Sequence, residues 1–102
     1  MQQEQPTIDD LRSAIQLACQ PQNAHRIVAG RQNVIATPRQ WVLRSLEQVA
    51  ADCLDLTDYW QYRRLLELAS QLDEDLVQRL VAIGHGSDDE DILDAAGDFQ
   101  KE

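Results

Sequence analysis

Two histidines and two cysteines are the side chains of this sequence that could bind zinc or take part in nucleophilic catalysis. Neither His25 nor His85 has a second histidine or cysteine at a spacing typical of a zinc site. A Cys53 nucleophile with His85 as its base would need the fold to bring the two together, and no local signature supports that pair. Cys19 and Cys53 lie on apolar faces of predicted helices, where a free cysteine behaves as a small hydrophobe. These residues predict a protein that is not an enzyme and that needs no cofactor.

An acidic run at residues 88–91 has the oxygen ligands that calcium prefers. An EF-hand loop, however, needs a glycine at its sixth position and a glutamate at its twelfth, and Leu93 and Phe99 occupy those positions here. We therefore expect no calcium site. Ser87 followed three residues later by Glu90 has the spacing of a helix capping box, which predicts a helix N-terminus whose dipole favours the acids.

Arginines around a tryptophan form the first candidate binding patch of the chain. Arginine with an interleaved aromatic side chain can hold single-stranded nucleic acid by pairing with phosphates and stacking on bases. The net charge of −9 disfavours that reading and favours a protein partner. The alternative is that these arginines lie on solvated helix faces beside a partly buried tryptophan. The candidates are Arg26, Arg31, Arg39, Trp41 and Arg44.

A second candidate patch lies at the start of a later predicted helix. Tyr62 belongs to the apolar stripe of that helix, whereas Tyr59 and Trp60 lie off the stripe and are expected to be partly exposed. Exposed tryptophan and tyrosine next to Arg63 and Arg64 are typical of protein interfaces. Packing under a neighbouring helix would explain the same pattern.

Charge is unevenly divided between the two halves of the sequence. Residues 1–50 hold five arginines against four acids, whereas residues 51–102 hold fourteen acids against three arginines and one lysine. The acidic half repels nucleic acid and anionic membranes. It could instead cover the basic surface of a target, as an inhibitor or an immunity-like protein does, through steered association. The near-neutral half could also dock on the acidic half of a second copy, which would give a homo-oligomer.

Length and composition favour one small helical domain. A chain of 102 residues, 43% of them hydrophobic, can bury one core without disulfides or metals. Four glycines and three prolines are too few for the many turns of a sandwich or barrel. We expect a disordered lead-in over residues 1–6 and a single helical domain over 7–100. No apolar run approaches the roughly 18 residues that span a bilayer, and the first residues do not resemble a signal peptide, so we expect a cytoplasmic location and no membrane contact.

Apolar side chains recur at helical spacing in segments separated by start and stop signals. The hydroxyl of Thr7 and the pair Thr37 and Pro38 predict helix starts. Pro21 is placed to stop the first helix, and Gly84 is placed to end a later one. The pattern predicts an all-α antiparallel stack or irregular bundle of about five helices, with bounds near 7–20, 38–54, 58–72, 73–84 and 88–99.

The segment 22–37 is compatible with two local structures. Asn23 could cap a short helix from Ala24 to Ala29 that Gly30 ends in the left-handed conformation. The β-branched residues on either side of Gly30 could instead form two short strands. We favour a helix followed by a loop, because an isolated hairpin is marginally stable without a sheet to join.

The stretch Asp73–Phe99 resembles one unit of a HEAT-type helical repeat. Its residues Asp89 to Ala96 are similar to that family's acidic turn, β-branched residue and paired alanines. Leu93 occupies the position where the family usually carries the arginine of a buried salt-bridge ladder. The helix pair predicted at 38–54 and 58–72 would be an earlier, longer unit. The resemblance implies a HEAT- or armadillo-like stack of antiparallel helices that presents its surface to a partner protein without catalysis.

Overall fold

The part of the chain that the structure describes contains six helices joined by short loops. The computed structural model describes residues 6–20 and 22–101, and no strand occurs in them. The all-helical prediction is confirmed, with six helices where the sequence predicted about five. The predicted lead-in over residues 1–6 lies, apart from Pro6, outside the described residues. The helices are α1 (Ile8–Ala18), α2 (Ala24–Ala36), α3 (Arg39–Cys53), α4 (Tyr59–Ser70), α5 (Glu74–His85) and α6 (Glu90–Phe99).

Side-chain caps begin the first two helices where the sequence placed them. The Thr7 hydroxyl accepts the N–H of Asp10 at 3.1 Å, and the Asn23 side chain accepts the N–H of Arg26 at 3.2 Å. Asn23 has a φ of 83°, in the left-handed region that asparagine tolerates better than most residues. Pro21, the predicted stop of α1, lies outside the described residues.

The helix α2 is longer than either structure predicted for its segment. It continues through Gly30 to Ala36, so the short helix ending at Gly30 and the alternative hairpin are both wrong. Gly30 is buried against α1, where an added Cβ would lie 2.4 Å from the backbone N of Ala18 and 2.7 Å from the backbone O of Ala14. The glycine therefore permits close packing of two helices and does not end one.

Two further predicted helix boundaries differ from those in the structure. The Thr37 hydroxyl donates to the backbone O of Asn33 at 2.8 Å, at the end of α2, and does not cap α3. The N-cap of α3 is Pro38, which has no side-chain hydrogen bond to offer. Gly84 was expected to end α5, but it lies inside the helix, which continues to His85.

The capping box predicted at Ser87 and Glu90 is replaced by two shorter-range contacts. The Ser87 hydroxyl accepts the N–H of Asp89 at 3.0 Å, and a carboxylate oxygen of Asp89 accepts the N–H of Asp91 at 2.8 Å. Asp89 is therefore the N-cap of α6, which starts at Glu90. Glu90 and Asp91 lie in the first turn, where the helix dipole favours acids.

Buried apolar side chains from all six helices belong to one core. The helix α1 packs against α2, α3 and α4, and α4 packs in turn against α5 and α6. Tyr62 of α4 is fully buried, and its hydroxyl donates to the backbone O of Leu80 in α5 at 2.7 Å. Gly84 leaves room for this ring, because an added Cβ would lie 2.1 Å from the Tyr62 hydroxyl oxygen. The helices α1 and α4 are therefore central. Their contact joins α2 and α3, which pack on α1, to α5 and α6, which pack on α4.

Candidate protein-binding face

The helix α4 exposes one side while its other side fills the core. Asp58 begins the helix by accepting the N–H of Gln61 at 3.0 Å. Tyr62, Leu65 and Ala69 are buried, so side chains at the opposite helical angles face outward. These outward residues form the α4 face, which consists of Tyr59, Trp60, Arg63, Arg64 and Glu67.

Three arginines converge on one carboxylate in the α4 face. Arg64 Nη1 lies 3.0 Å from Glu67 Oε1, and Arg63 Nε lies 3.6 Å from Glu67 Oε2. Arg31 of α2 also donates to Glu67, which joins the two helices. All four side chains are largely shielded from water, so the cluster is less screened than an exposed ion pair. The carboxylate of Glu67 thus holds arginines of two helices together.

Aromatic rings hold the arginines of α4 in place. The Arg64 guanidinium lies 5.1 Å from the centre of the Trp60 ring, and the Arg63 guanidinium lies 5.5 Å from the centre of the Phe99 ring in α6. Tyr59 packs edge-on against Trp60 with the ring centres 5.0 Å apart. Each cation–π contact contributes about 0.5–1 kcal/mol at an exposed site. The side chains of the face are therefore ordered before any partner arrives.

The helix α6 borders the α4 face on one side and makes it acidic there. Asp98 Oδ2 accepts a hydrogen bond from Arg63 Nη1 at 2.8 Å, and this bond raises the pKa of Arg63. An open groove of about 600 Å³ lies between Tyr59 and α6. Asp91 and Asp94 line this groove and form no ion pair with any described residue. The α6 residues along the groove are Asp91, Leu93, Asp94, Gly97 and Asp98.

The helix α2 reaches the α4 face through Arg31 and carries exposed apolar side chains beside it. Val28, Arg31 and Ile35 share one side of α2 because they are spaced by three and four residues. Arg31 of this row reaches Glu67, so the row adjoins the α4 face. Val28 is 49% exposed and Ile35 is 51% exposed. An apolar row next to arginines therefore remains uncovered, and α2 contains no acid.

The structure brings four of the eight predicted binding residues together and places the other four elsewhere. Arg39 pairs with Asp73 at the start of α5, with 3.4 Å between Nη2 and Oδ1. Arg26 and Arg44 are exposed and form no ion pair within residues 6–20 and 22–101. The candidate patch between residues 26 and 44 is therefore split, because its paired arginines contact different helices. Four predicted residues meet in or beside the α4 face: Arg31, Tyr59, Trp60 and Arg63.

Trp41, the remaining predicted residue, lines a second groove of about 430 Å³ between α1 and the turn from α2 to α3. The tryptophan is half buried and packs against the core. Asp10 is the one titratable side chain among the lining residues, and Ser13 and Thr37 add hydroxyls. A single carboxylate without a histidine, cysteine or lysine gives no acid–base pair, so this groove offers shape and hydrogen bonds only.

The two cysteines line one small cleft, together with residues of α1 and α4. Both thiols are free. Burial raises the pKa of Cys19 to about 12 and also raises the pKa of Cys53, so neither favours the reactive thiolate. His85 Nε2 lies 2.8 Å from the side-chain oxygen of Gln100, which occupies one of its ring nitrogens. The geometry gives the Cys53–His85 pair no support.

Neither a metal-binding cluster nor a membrane-spanning helix is found among the described residues. No three histidine, cysteine, aspartate or glutamate side chains within 6–20 and 22–101 lie together so that they could hold a metal ion. The described helices also lack the combination of length and apolar character that a bilayer crossing requires.

Three residues that contact the arginines of the α4 face escaped prediction. Glu67 lies four residues after Arg63, a spacing that favours an ion pair on a helix and could have identified it. Asp98 and Phe99 lie on another helix, and no local pattern relates them to Arg63. Only the packing of α6 on α4 brings them together.

Comparison of the chain with family models, curated proteins and solved structures found no match.

Proposed function

We propose that this chain is a non-catalytic interaction module that binds a protein partner through the α4 face and its flanks on α2 and α6. Trp60 carries the proposal, because it belongs to the face and is 46% exposed. Tryptophan, tyrosine and arginine dominate the binding energy of protein interfaces, and all three types meet here. Covering a solvated indole and its neighbours is favourable at roughly 25 cal/mol per Å² of apolar surface.

Order within the face supports the same function. The contacts of Arg64 with Trp60 and of Arg63 with Phe99 fix long side chains that a partner would otherwise have to immobilise. Immobilising such a side chain on binding costs about 0.5–1.5 kcal/mol. A face that is already ordered therefore retains more of its contact energy as affinity.

Affinity capture with matched variants tests the proposal. The immobilised chain would be exposed to lysate of cells that produce it, so that a second copy is among the available partners. We expect a stoichiometric protein that Trp60→Ala loses, while Ile83→Ala keeps it, since Ile83 is 52% exposed on α5 and is not part of the face. Circular dichroism would verify that both variants remain helical. Equal capture by Trp60→Ala and the wild type would contradict the proposal, as would the lack of any stoichiometric partner.

An inhibitor or immunity-like protein that masks a basic target is a second candidate. The acids at residues 88–91 and at Asp94 form no ion pair with the described residues. Tyr59 provides an aromatic wall of the groove that Asp91 and Asp94 line. Such a surface would attract a basic protein by steered association. A partner whose association rate is unaffected by ionic strength and by Asp94→Asn would exclude this candidate.

Nucleic acid binding through the Arg26–Arg44 region is a third and weaker candidate. Arg31 and Arg39 are engaged with Glu67 and Asp73, which leaves Arg26 and Arg44 to contact phosphates. Two phosphate contacts give weak binding with a shallow salt dependence. Titration of labelled single- and double-stranded oligonucleotides would decide, and no salt-dependent binding at micromolar protein would rule it out.

A HEAT-like arrangement and a cytoplasmic location complete the proposed role. The adjacent helices α5 and α6 pack on each other, as the two helices of such a repeat do. Leu93 is half buried at the groove, where the family usually carries its ladder arginine. A module of this kind would present its helical surface to the partner and need no cofactor.

A further inference from the structure

We propose that Cys19 and Cys53 are a redox-sensitive pair, and that a peroxide converts them to a disulfide between the ends of α1 and α3. None of the residues that line the cleft of the two cysteines belongs to the α4 face. The pair therefore lies outside the surface of the proposed function and reacts without a partner protein.

Both cysteines line one small cleft with a volume of about 250 Å³. It lies where the helices α1 and α3, which pack on each other, end beside α4. None of the lining residues is charged, so closing the cleft separates no lining residue from an ion-pair partner. Besides the cysteines, the cleft is lined by Gln16, Gln20, Leu54 and Gln61.

Cys53 lies against the side of α1 that carries Cys19. Arg12, Gln16 and Cys19 share this side, because they are spaced by four and three residues. Burial is the main cause of the raised pKa of Cys53, and the charge of Arg12 opposes it. Burial is also the main cause of the raised pKa of Cys19, and a charge on Cys53 comes next, ahead of every other charged side chain. Coulomb interactions weaken with distance, so the two sulfurs are near each other.

Both residues lie at helix ends, which can shift without unfolding a helix. Cys19 is the C-cap of α1, and Cys53 is the last residue of α3. A disulfide needs the two Cα atoms within about 4.4–6.8 Å of each other. Leu54 is extended and leads into turns and bends before α4. We therefore expect the end of α3 to supply the movement that the bond requires, since terminal turns open more readily than the middle of a helix.

Unequal exposure sets the order of two chemical steps. Cys53 is partly exposed, whereas Cys19 is 1% exposed, so peroxide reaches Cys53 first. The Cys53 thiolate attacks one peroxide oxygen and the O–O bond breaks, which leaves a sulfenic acid and a hydroxide that takes up a proton to form water. The Cys19 sulfur then attacks the Cys53 sulfur, the S–O bond breaks, and the hydroxyl leaves as water with the Cys19 proton. Two thiols and one hydrogen peroxide thus give one disulfide and two waters.

The first step is slow at neutral pH and accelerates as the pH rises. Burial holds the pKa of both thiols above 9.0, so only a small fraction of Cys53 is the reactive thiolate at pH 7. We expect the disulfide to form about tenfold faster at pH 8 than at pH 7, because the thiolate fraction rises in that proportion. Arginine and carboxylate groups ordinarily do not titrate in this range. The charged side chains that act on the two thiols are Arg12, Arg31, Asp52, Arg64 and Glu67.

Mass spectrometry of the full chain tests the pair directly. The reduced protein, at low micromolar concentration in native buffer, is treated with excess hydrogen peroxide, and the remaining thiols are then alkylated. We expect a product that takes up no alkyl group and is lighter than the reduced chain by two hydrogen atoms. Peptide mapping should show a cross-link between Cys19 and Cys53, and dithiothreitol should restore both thiols.

Two variants separate the roles of the thiols. Cys19→Ala should stop at the sulfenic acid of Cys53, which dimedone traps, whereas Cys53→Ala should leave Cys19 unreacted over the same time. Circular dichroism verifies that both variants remain helical. The oxidised wild type should also unfold at a higher urea concentration than the reduced one, because the disulfide closes a loop that contains the whole of α2.

Several outcomes would overturn the proposal. Peroxide-treated wild type could keep two thiols that react with the alkylating reagent, or form disulfides only between chains. Cys53 could pass to a sulfinic acid beside an unreacted Cys19. A disulfide that forms in concentrated urea but not in native buffer would show that the fold holds the two thiols apart. None of these results changes the capture experiment on Trp60, so the proposed function is judged separately.

Discussion

Glycine at two helical positions meets opposite surroundings, which makes the pair a direct probe of packing. A Cβ at Gly30 would lie within 2.4–2.8 Å of atoms of α1, whereas a Cβ at Gly97 would meet nothing within 4 Å. We expect Gly30→Ala to lower the free energy of unfolding by about 3 kcal/mol, since backbone atoms cannot yield to an inserted methyl group. Gly97→Ala should raise it by about 0.5–1 kcal/mol, because alanine favours the helix. Urea titrations at low protein concentration measure both, and equal effects of the two variants would show that α1 and α2 are not in close contact.

Cys19 is expected to make the stability of the protein fall at alkaline pH. Burial raises the pKa of this thiol from 9.0 to about 12, so the unfolded chain ionises at lower pH than the folded one. Its contribution is complete below about pH 9 and is lost as the pH rises towards 12. The loss is about 1.4 kcal/mol per pH unit within this window. Urea unfolding of the wild type and of Cys19→Ala at pH 8, 9 and 10 checks the slope, and an equally steep fall in Cys19→Ala would contradict this assignment.

Helix ends show which parts of the fold could be predicted from the sequence. The starts at Thr7 and Asn23 depend on a side chain and an N–H a few residues later, so local pattern was sufficient. Gly30 and Gly84 were taken for helix ends because glycine favours them. Their true role depends on α1 and on Tyr62, which are distant in sequence and come near only when the helices pack.

The residues of the candidate site could likewise be predicted where they are close in sequence and not where they are distant. Tyr59, Trp60 and Arg63 were grouped because they share one short segment, and they do lie together. Arg31 was grouped with neighbours in sequence, but it contacts Glu67, which is 36 positions away. Ion pairs between helices depend on the packing of the whole core, and a single sequence contains no local signal for them.

Helix dipoles predict opposite effects for one charge change at two helix ends. Asp52 lies in the last turn of α3, where a negative charge is unfavourable, and Glu74 lies in the first turn of α5, where it is favourable. Both side chains are exposed and accept a hydrogen bond from a glutamine amide on the same helix. We expect Asp52→Lys to be more stable than Glu74→Lys by about 1 kcal/mol in urea at low salt. The difference should shrink in 0.5 M NaCl, and a reversed order would contradict the assigned helix ends.

The charge of the whole molecule opposes the compact state. Most acids in the described part of the chain take no part in an ion pair, and those that do occur mainly in partly exposed pairs worth about 0–1 kcal/mol each. Ion pairs such as Arg39 with Asp73 and Arg79 with Glu47 connect the nearly neutral half to the acidic half. Salt therefore acts in two directions, because it screens these attractions and also screens the repulsion among the unpaired acids.

We expect the repulsion among the unpaired acids to outweigh the attraction within the ion pairs. Salt should therefore stabilise the folded monomer. With a net charge of −9 on a molecule that measures 50 × 27 × 21 Å, unpaired acids outnumber ion pairs at distances where screening is effective. We expect the free energy of unfolding in urea to rise by about 1 kcal/mol between 0.01 and 0.3 M NaCl. Low micromolar protein keeps association out of the measurement, and sucrose at matched osmolality controls for solvent effects. A fall in stability with NaCl would mean that the ion pairs between the halves outweigh the repulsion, and Arg79→Gln would then remove part of that fall.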